Sequence, residues 1–335
     1  MTKSPESLSY KTAYPSLMEG DDAILSPELI DQQRKYYEQH KNQFADMLED
    51  STAAIELSDD ERFRAVALKG ENSDETIVIG GEFGNGRTLA SFTRAMGIRA
   101  VLSPEASLVL LPNNTLSENN LNLNVHELLR LRKGYAFPYS ERYRRAIGHI
   151  EASKSRLHIV GMSLGATTGA AFARTRDINL GSATFVESPL LRGSPLSAAK
   201  DFLTSGAQLS QNVEISQQNI EDFDAIAGDG VAGFARFGAG ALSPSNIAAL
   251  ELMRKRKTAR DINGLIAKHE HAGVVTAWGT EANVSPRADN QEIASRHADN
   301  PWFQGIEIEG ADHSVTNAHA VVAALALRAK QLSSH

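Results

Sequence analysis

The sequence predicts an α/β protein with a doubly wound, mostly parallel sheet, a helical lid inserted between late strands and an extra N-terminal helix. Short apolar stretches alternate with helical stretches up to residue 189, which is the pattern of a parallel sheet covered by helices on both faces. The alternation stops over 190–258, where no stretch has strand character, and then returns for two more strands. We therefore divide the chain into an N-terminal arm and helix (1–56), an α/β core (57–189 and 259–335) and the lid (190–258).

Seven apolar stretches, rich in β-branched and aromatic residues, are the predicted strands. They cover 62–68, 75–81, 107–112, 156–161, 182–189, 273–279 and 303–310. Helices are predicted where residues recur at helical spacing or where a cap precedes the stretch. They cover 27–54, 87–97, 140–153, 163–177, 261–272 and 314–332, and residues 1–26 form an extended arm. Ser26 before Pro27 is a typical helix start.

Charge and composition narrow the class of protein. The 335 residues carry a net charge of −7 and 41% of them are hydrophobic, which is ordinary for a globular enzyme and argues against a nucleic-acid binder. The chain has no cysteine, which excludes disulfides, thiol nucleophiles and cysteine-bound metals. No stretch reaches the ~18 apolar residues of a membrane span, and the N-terminus lacks the apolar core of a signal peptide. We therefore expect a cytoplasmic protein without integral membrane contact, nucleic-acid partner, metal or cofactor.

The pentapeptide GMSLG at 161–165 is the main candidate for chemistry. It stands between a predicted strand and a predicted helix, as a nucleophile elbow requires, with glycines that let the two backbone segments approach closely. Ser163 is the candidate nucleophile. The backbone N–H of Leu164, at the start of the helix, would stabilise a developing oxyanion. A tight turn in a non-catalytic sheet protein would show the same five letters, so the rest of the chain has to supply a base.

A base and a second oxyanion donor are both available. Among ten histidines, His313 is the one in a loop directly after the last predicted strand, and it is the candidate base that takes the Ser163 proton. His319, further along on the closing helix, is the weaker alternative. The glycine loop after the second predicted strand offers the N–H of Glu82 or Phe83 as the second oxyanion donor.

Together these segments resemble the α/β-hydrolase superfamily, in particular its serine esterases and lipases. The resemblance rests on the loop GGEF (80–83), GMSLG (161–165), the stretch AWGTEANVSP (277–286) and ADHS (311–314), and it spans residues 60–332. It implies a Ser-His-acid triad, an acyl-enzyme and hydrolysis of a small-molecule acyl ester without a cofactor. The helical insertion stands where this family commonly carries its lid, and the N-terminal arm and helix have no counterpart.

The acid of the triad is where the sequence departs from the family pattern. Many members have Gly-x-x-Asp-x-x-x-Pro after the strand that carries the acid. Here Gly279 and Pro286 keep the spacing, but Ala282 occupies the position of the acid. Glu281, one residue earlier, is the first choice for the acid. Glu187, at the end of the preceding strand, where some lipases carry their acid, is the second, and a chain without any acid is the third alternative.

Apolar residues next to the serine and in the lid are candidates for the substrate pocket. They are Met162, Phe202, Phe234 and Phe237. Because these side chains are apolar, we expect a substrate with an apolar acyl group, although the three phenylalanines would also serve simply to pack the lid. The N-terminal helix is a candidate contact for a homodimer.

Two other functions stay open. The stretch GEFGNGRT at 81–88 follows the spacing of a phosphate-binding loop, with Arg87 in the place of the usual lysine, and would indicate an NTPase. The vacant acid position would instead fit a weak or inactive hydrolase-fold protein that binds partners through its N-terminal helix and lid. The basic run RKRKTAR (254–260) is short and isolated in the sequence, which is typical of a solvated helix end.

Overall fold

A sheet of eight strands organises the described part of the chain, and helices cover both of its faces. The computed structural model describes residues 14–20, 23–49, 54–56, 64–81, 89–111, 124–133, 139–192 and 249–334. The strands are β1 (Ala54–Glu56), β2 (Arg64–Leu68), β3 (Asn72–Gly80), β4 (Ala106–Leu111), β5 (Arg156–Met162), β6 (Leu180–Val186), β7 (Gly273–Gly279) and β8 (Phe303–Ile308). The helices are α1 (Pro15–Met18), α2 (Pro27–Glu49), α3 (Leu89–Leu102), α4 (Val125–Arg132), α5 (Tyr139–His149), α6 (Leu164–Thr175), α7 (Lys255–Lys268), α8 (Arg287–Arg296) and α9 (His319–Leu332), and a 3-10 turn covers His313–Asn317.

The strands lie in the order β1-β2-β4-β3-β5-β6-β7-β8. The six strands from β4 to β8 in this order are parallel, whereas β1 and β2 form an antiparallel edge. Every residue of β4, β6 and β7 is buried, because helices lie on both faces of these strands. Their sequences are therefore mainly apolar runs rather than alternating patterns.

Two hydrophobic cores lie on opposite faces of the sheet. On one face, Tyr143 of α5, Phe172 of α6 and Ile262 of α7 belong to the same buried cluster. On the other face, Met96 of α3 and Val321 of α9 belong to a second cluster. The prediction of an α/β protein with a doubly wound, mostly parallel sheet is therefore confirmed.

The parallel strands end at one edge of the sheet, and the candidate residues follow those ends. Ser163 follows β5, Glu187 follows β6, and His313 lies shortly after β8. The register pairs Met162 with Val186, so the chains that carry Ser163 and Glu187 leave the sheet side by side. The topology thus brings His313 beside two side chains that lie more than a hundred positions earlier in the chain.

Four elements of the structure are absent from the sequence-based expectation. Helix α1 lies within residues 1–26, for which an extended arm is predicted, and it forms with Pro15 at its first position and Leu17 buried. Strand β1 begins at Ala54, where the predicted N-terminal helix ends, and it pairs with β2. Helix α4 begins with a capping box, in which the side chains of Asn124 and Glu127 each accept the other's backbone N–H. Helix α8 buries Asp289 and Asn290 beside Ile293, so its sequence shows no apolar stripe.

Residues of the predicted N-terminal arm and of the two ends of the predicted lid are buried in the core. Tyr14 and Leu25 are buried in the same cluster as α3 and α9. Leu191 and Met253 are buried in the other cluster, and the Leu191 N–H donates to the Met253 carbonyl at 3.0 Å. The stretch between them, residues 193–248, lies outside the described residues. No helix in the described part of the chain is both long and apolar enough to span a bilayer.

Candidate active site

Ser163 occupies a sharp turn between β5 and α6. Its φ is 51° and its ψ is −119°, a conformation that residues other than glycine rarely adopt and that proteins keep mainly at functional sites. The Ser163 N–H donates to the Val186 carbonyl at 3.0 Å, which ties the turn to the end of β6. The residue is 1% exposed. The turn therefore places a buried serine at the carboxyl edge of the sheet, immediately before a helix N-terminus.

Gly161 and Gly165 are required because the backbone segments around Ser163 touch. A Cβ on Gly161 would lie 2.5 Å from the Gly165 carbonyl oxygen and 2.7 Å from the Ala166 nitrogen. A Cβ on Gly165 would collide with the carbonyl group of Gly80 in β3. Close packing of β3, β5 and α6 thus explains both glycines of the pentapeptide, and it fixes the serine between them.

His313 lies in the 3-10 turn after β8, and its ring reaches the serine. Its Nε2 is 3.1 Å from the Ser163 hydroxyl oxygen. The Thr316 hydroxyl donates to the His313 carbonyl at 2.9 Å, and Arg94 of α3 donates to the Thr316 carbonyl at 2.7 Å. These bonds tie the 3-10 turn to α3 and so help to hold the imidazole in place.

Glu187 binds the opposite nitrogen of the ring. Its Oε2 is 3.1 Å from His313 Nδ1, and its Oε1 accepts a 2.5 Å hydrogen bond from the Gly279 N–H. Burial raises the pKa of Glu187, although the hydrogen bonds from His313 and Gly279 act in the opposite direction. An ionised Glu187 can only accept, so Nδ1 donates to it and Nε2 is left to accept the Ser163 O–H. The three side chains form one hydrogen-bonded path.

Glu281, the first choice of the sequence analysis, does not reach His313. Its side chain is exposed to solvent, while its backbone N–H donates to the Ala311 carbonyl at 2.9 Å. Ala282, in the position that the family pattern gives to the acid, is buried. The side chain that accepts from His313 is therefore that of Glu187, which reverses the order of preference between the two glutamates.

The loop after β7 holds the segment that follows Glu187. The Leu190 N–H donates to the Val284 carbonyl at 3.0 Å, and the Ser285 hydroxyl donates to the Ser188 carbonyl at 2.8 Å. The Asn290 side-chain amide of α8 donates in turn to the Ser285 hydroxyl oxygen at 2.9 Å. Sequence reasoning misses Ser285 and Asn290, because their contacts form only in the folded loop and no motif marks them.

The remaining predicted site residues are placed only in part. Leu164 is the first residue of α6, where N–H groups lack acceptors within the helix, and Met162 is fully buried at the end of β5. Glu82 and Phe83, the candidate second oxyanion donors, lie outside the described residues. So do the three phenylalanines of the predicted pocket, which are Phe202, Phe234 and Phe237. The described residues hold no group of three or more metal-binding side chains.

Comparison with known proteins gives structural matches but no sequence matches. No protein-family model and no curated protein matches the chain. A candidate lipase of Acinetobacter baumannii superposes with a TM-score of 0.54 at 14% identity, covering 86% of this chain and 93% of that chain. A bromoperoxidase of Bacillus anthracis superposes with a TM-score of 0.50 at 11% identity, covering 77% of this chain and 92% of that chain. At such identities the similarity shows the fold, and the two differing activities show that the reaction depends on the site.

Proposed function

Since the chain has the α/β-hydrolase fold, we propose that it is a serine hydrolase that cleaves carboxylic acyl esters through an acyl-enzyme. The observation that carries the proposal is the hydrogen-bonded path from the Ser163 hydroxyl through His313 to Glu187. A hydroxyl is a weak nucleophile, and an adjacent imidazole that is oriented by a carboxylate is the arrangement that activates it. The likeness to a candidate lipase supports an ester as the bond that is cleaved.

The proposed reaction has two halves. Ser163 Oγ attacks the ester carbonyl carbon while its proton passes to His313 Nε2, and Glu187 stabilises the imidazolium that forms. The tetrahedral intermediate collapses, the bond to the alcohol oxygen breaks, and His313 gives its proton to the departing alkoxide. Water then attacks the acyl-enzyme with His313 as the base. The second collapse releases the carboxylic acid and restores the Ser163 hydroxyl.

The negative oxygen of each tetrahedral intermediate needs donors that are already in place. The Leu164 N–H, at the positive end of the α6 dipole, is the first donor in this proposal. The N–H of Glu82 or Phe83 is the second. Gly80 contributes indirectly, because its close contact with Gly165 brings the end of β3 beside the start of α6.

Met162 is the described residue that we assign to the acyl pocket, and an apolar acyl chain is the group that such a side chain would accept. The proposal therefore includes a preference for apolar acyl groups over charged ones.

Turnover of 4-nitrophenyl esters with acyl chains of increasing length tests this function. We expect hydrolysis by the unmodified protein, an increase in kcat/KM from acetate to longer acyl chains, and loss of hydrolysis in Ser163→Ala and His313→Ala. Cleavage that survives in Ser163→Ala would contradict the proposal. A fall in kcat/KM with chain length would contradict the apolar pocket while leaving the nucleophile in place.

The two alternative functions gain no support. The binding-module alternative is motivated by the vacant acid position at Ala282, but Glu187 supplies a carboxylate to His313 from another strand. Of the phosphate-loop stretch, only Gly81 is described, and its N–H donates to the Leu111 carbonyl at 3.1 Å. No observation therefore favours a nucleotide as the ligand.

A further inference from the structure

A continuous band of basic side chains covers three neighbouring helices on one face of the sheet. We call it the cationic face. It consists of Arg144 and Arg145 of α5, Arg174 and Arg176 at the end of α6, and Arg254, Arg256, Arg260 and Lys268 on and beside α7. The run 254–260 is isolated in the sequence, but α7 packs against α6, and α6 against α5. The fold therefore joins a short basic run to arginines that are far away along the chain.

Side-chain contacts show that the band is continuous. Arg176, just after α6, pairs with Glu141 of α5 at 3.4 Å. Arg174 pairs with Asp261 of α7 at 2.7 Å. Lys268, at the end of α7, donates to the Arg176 carbonyl. These contacts link all three helices through the end of α6.

The negative charges among these residues lie beneath the positive ones. The side chains of Glu141, Asp261 and Glu251 are 12%, 3% and 12% exposed. The arginines that pair with them are between 32% and 55% exposed. Each of the three carboxylates serves more than one basic side chain. The groups presented to solvent are therefore mainly cationic, on a protein whose overall charge is −7.

Among the described residues, the exposed acidic groups next to these three helices lie at the far end of this surface. Glu151 follows the end of α5, Asp177 follows Arg176, and Glu270 follows the end of α7; all three are exposed. They lie at the amino-terminal edge of the sheet, away from Ser163. Arg254 and Arg256 lie at the opposite end of α7, where Thr258 contacts Thr167 of α6 at 3.2 Å. The cationic face thus extends toward the edge of the sheet that holds the site.

We propose that the cationic face attaches the protein to an anionic lipid bilayer. The buried centre of a protein–protein interface is typically rich in aromatic residues and poor in charged ones, whereas the large hydrophobic side chains that are exposed among the described residues, Val125 and Leu129, lie on α4. A nucleic acid that extends beyond the cationic face would be repelled, because the protein as a whole carries a net negative charge. A bilayer touches one face only, and its anionic headgroups attract each basic side chain near the surface independently. Helix α7 alone spans roughly 21 Å, enough to contact several headgroups.

Flotation with lipid vesicles tests the proposal, which does not depend on the proposed hydrolase function. We expect the full chain to float with vesicles of equal parts phosphatidylserine and phosphatidylcholine at low salt, and not with phosphatidylcholine alone. The variant Arg144→Glu/Arg256→Glu reverses charge on two helices, and Glu141 keeps Arg145 and Arg176 as partners. We expect its affinity for the anionic vesicles to fall by about thirtyfold or more.

The matched control reverses two charges elsewhere. Arg34→Glu/Lys35→Glu changes the net charge equally on α2, where both side chains are exposed, and should leave vesicle binding nearly unchanged. Equal loss in both variants would overturn the proposal, since total charge rather than the cationic face would then decide binding. Failure of the unmodified protein to bind anionic vesicles would overturn it as well, as would tighter binding to single-stranded DNA than to the vesicles.

Discussion

Ser163 and Glu187, at the two ends of the hydrogen-bonded path through His313, share an unusual backbone conformation. Their φ angles are 51° and 53°. A non-glycine residue in this region costs about 1–3 kcal/mol and persists only where its surroundings determine it. The close packing at Gly161 and Gly165 fixes the backbone around Ser163. Hydrogen bonds from the loop after β7 fix the segment that follows Glu187. Two of the three described non-glycine residues with a positive φ are thus the residues whose side chains must meet His313; the third is Glu151, in the exposed turn after α5.

The first prediction separates the two glutamates. In Glu187→Gln, the amide no longer enforces the His313 tautomer in which Nε2 accepts from Ser163, so we expect kcat for an activated ester to fall by about 10⁴. In Glu281→Gln, the altered side chain is exposed and away from the ring, so kcat should not change. Steady-state kinetics on 4-nitrophenyl esters would measure both. Equal rates in the two variants would refute the assignment of the acid.

Ser163 and His313 are predictable from local patterns, but the choice of acid is not. The pentapeptide shows its strand, turn and helix within twenty letters, and His313 follows the last strand directly. The stretch FVESP shows a glutamate at the end of a strand, but not the positive φ at Glu187. The contact between that residue and a ring 126 positions away depends on how the chain leaves β6, which no short motif encodes.

Among the elements, the loop after β7 has a role that differs from the expected one. It does not supply the carboxylate that binds His313; instead the N–H of Gly279, the last residue of β7, donates to the Glu187 carboxylate, and the Ser285 hydroxyl of the loop donates to the Ser188 carbonyl. In this account the loop positions an acid that comes from β6. A buried hydroxyl that donates to a buried carbonyl contributes about 1 kcal/mol, and here it also fixes the backbone of the residue that follows Glu187.

The second prediction concerns that hydroxyl. We expect Ser285→Ala to lower kcat with little change in KM, because the hydroxyl positions Glu187 and does not contact substrate. Ser285→Thr, which restores a hydroxyl, should recover most of the rate. Ser107→Ala is the matched control, since Ser107 is buried in β4 and accepts from the Gly70 N–H. A similar loss of kcat in the control would show that Ser285 acts through stability alone.

Strands and helices are predictable from the sequence where their buried residues form an apolar run. They are not predictable where the buried residues are polar and are paired by long-range contacts. The apolar runs of β4 and β7 are visible in the sequence. Helix α8 instead buries Asp289, whose carboxylate accepts a 2.8 Å hydrogen bond from Arg192, ninety-seven positions earlier. A helix whose inner face carries aspartate and asparagine has no apolar stripe. The buried face of α8 can therefore be identified only from the contacts that it makes in the folded protein.

At the scale of the whole molecule, two buried histidines make stability depend on pH. His158 in β5 lies between Ser182 and Glu75, and burial lowers its pKa to about 4. Burial lowers the pKa of His319, at the start of α9, to about 3. The ordinary value is 6.5, so the unfolded chain takes up protons first as the pH falls. The contribution of these two neutral, buried rings to the free energy of unfolding is complete above pH 6.5 and is lost progressively below it.

The third prediction follows from the lowered pKa values of these two histidines. The free energy of unfolding should fall as the pH drops from 6.5 toward 4, and His158 should account for about 3 kcal/mol of the change. Urea unfolding followed by circular dichroism over this range would measure it. His158→Gln removes the titrating ring and should flatten the dependence by that amount. An unchanged slope in the variant would show that His158 does not control the acid sensitivity.

The central claim is that Ser163 is a nucleophile activated by the folded site, and covalent labelling measures this most directly. A small alkyl fluorophosphonate is added to the folded protein, and the intact mass is recorded over time. We predict one adduct per chain in the unmodified protein, slower labelling in His313→Ala, and no adduct in Ser163→Ala of equal thermal stability. A well-folded protein that stays unlabelled, or equal labelling of Ser163→Ala, would contradict the claim.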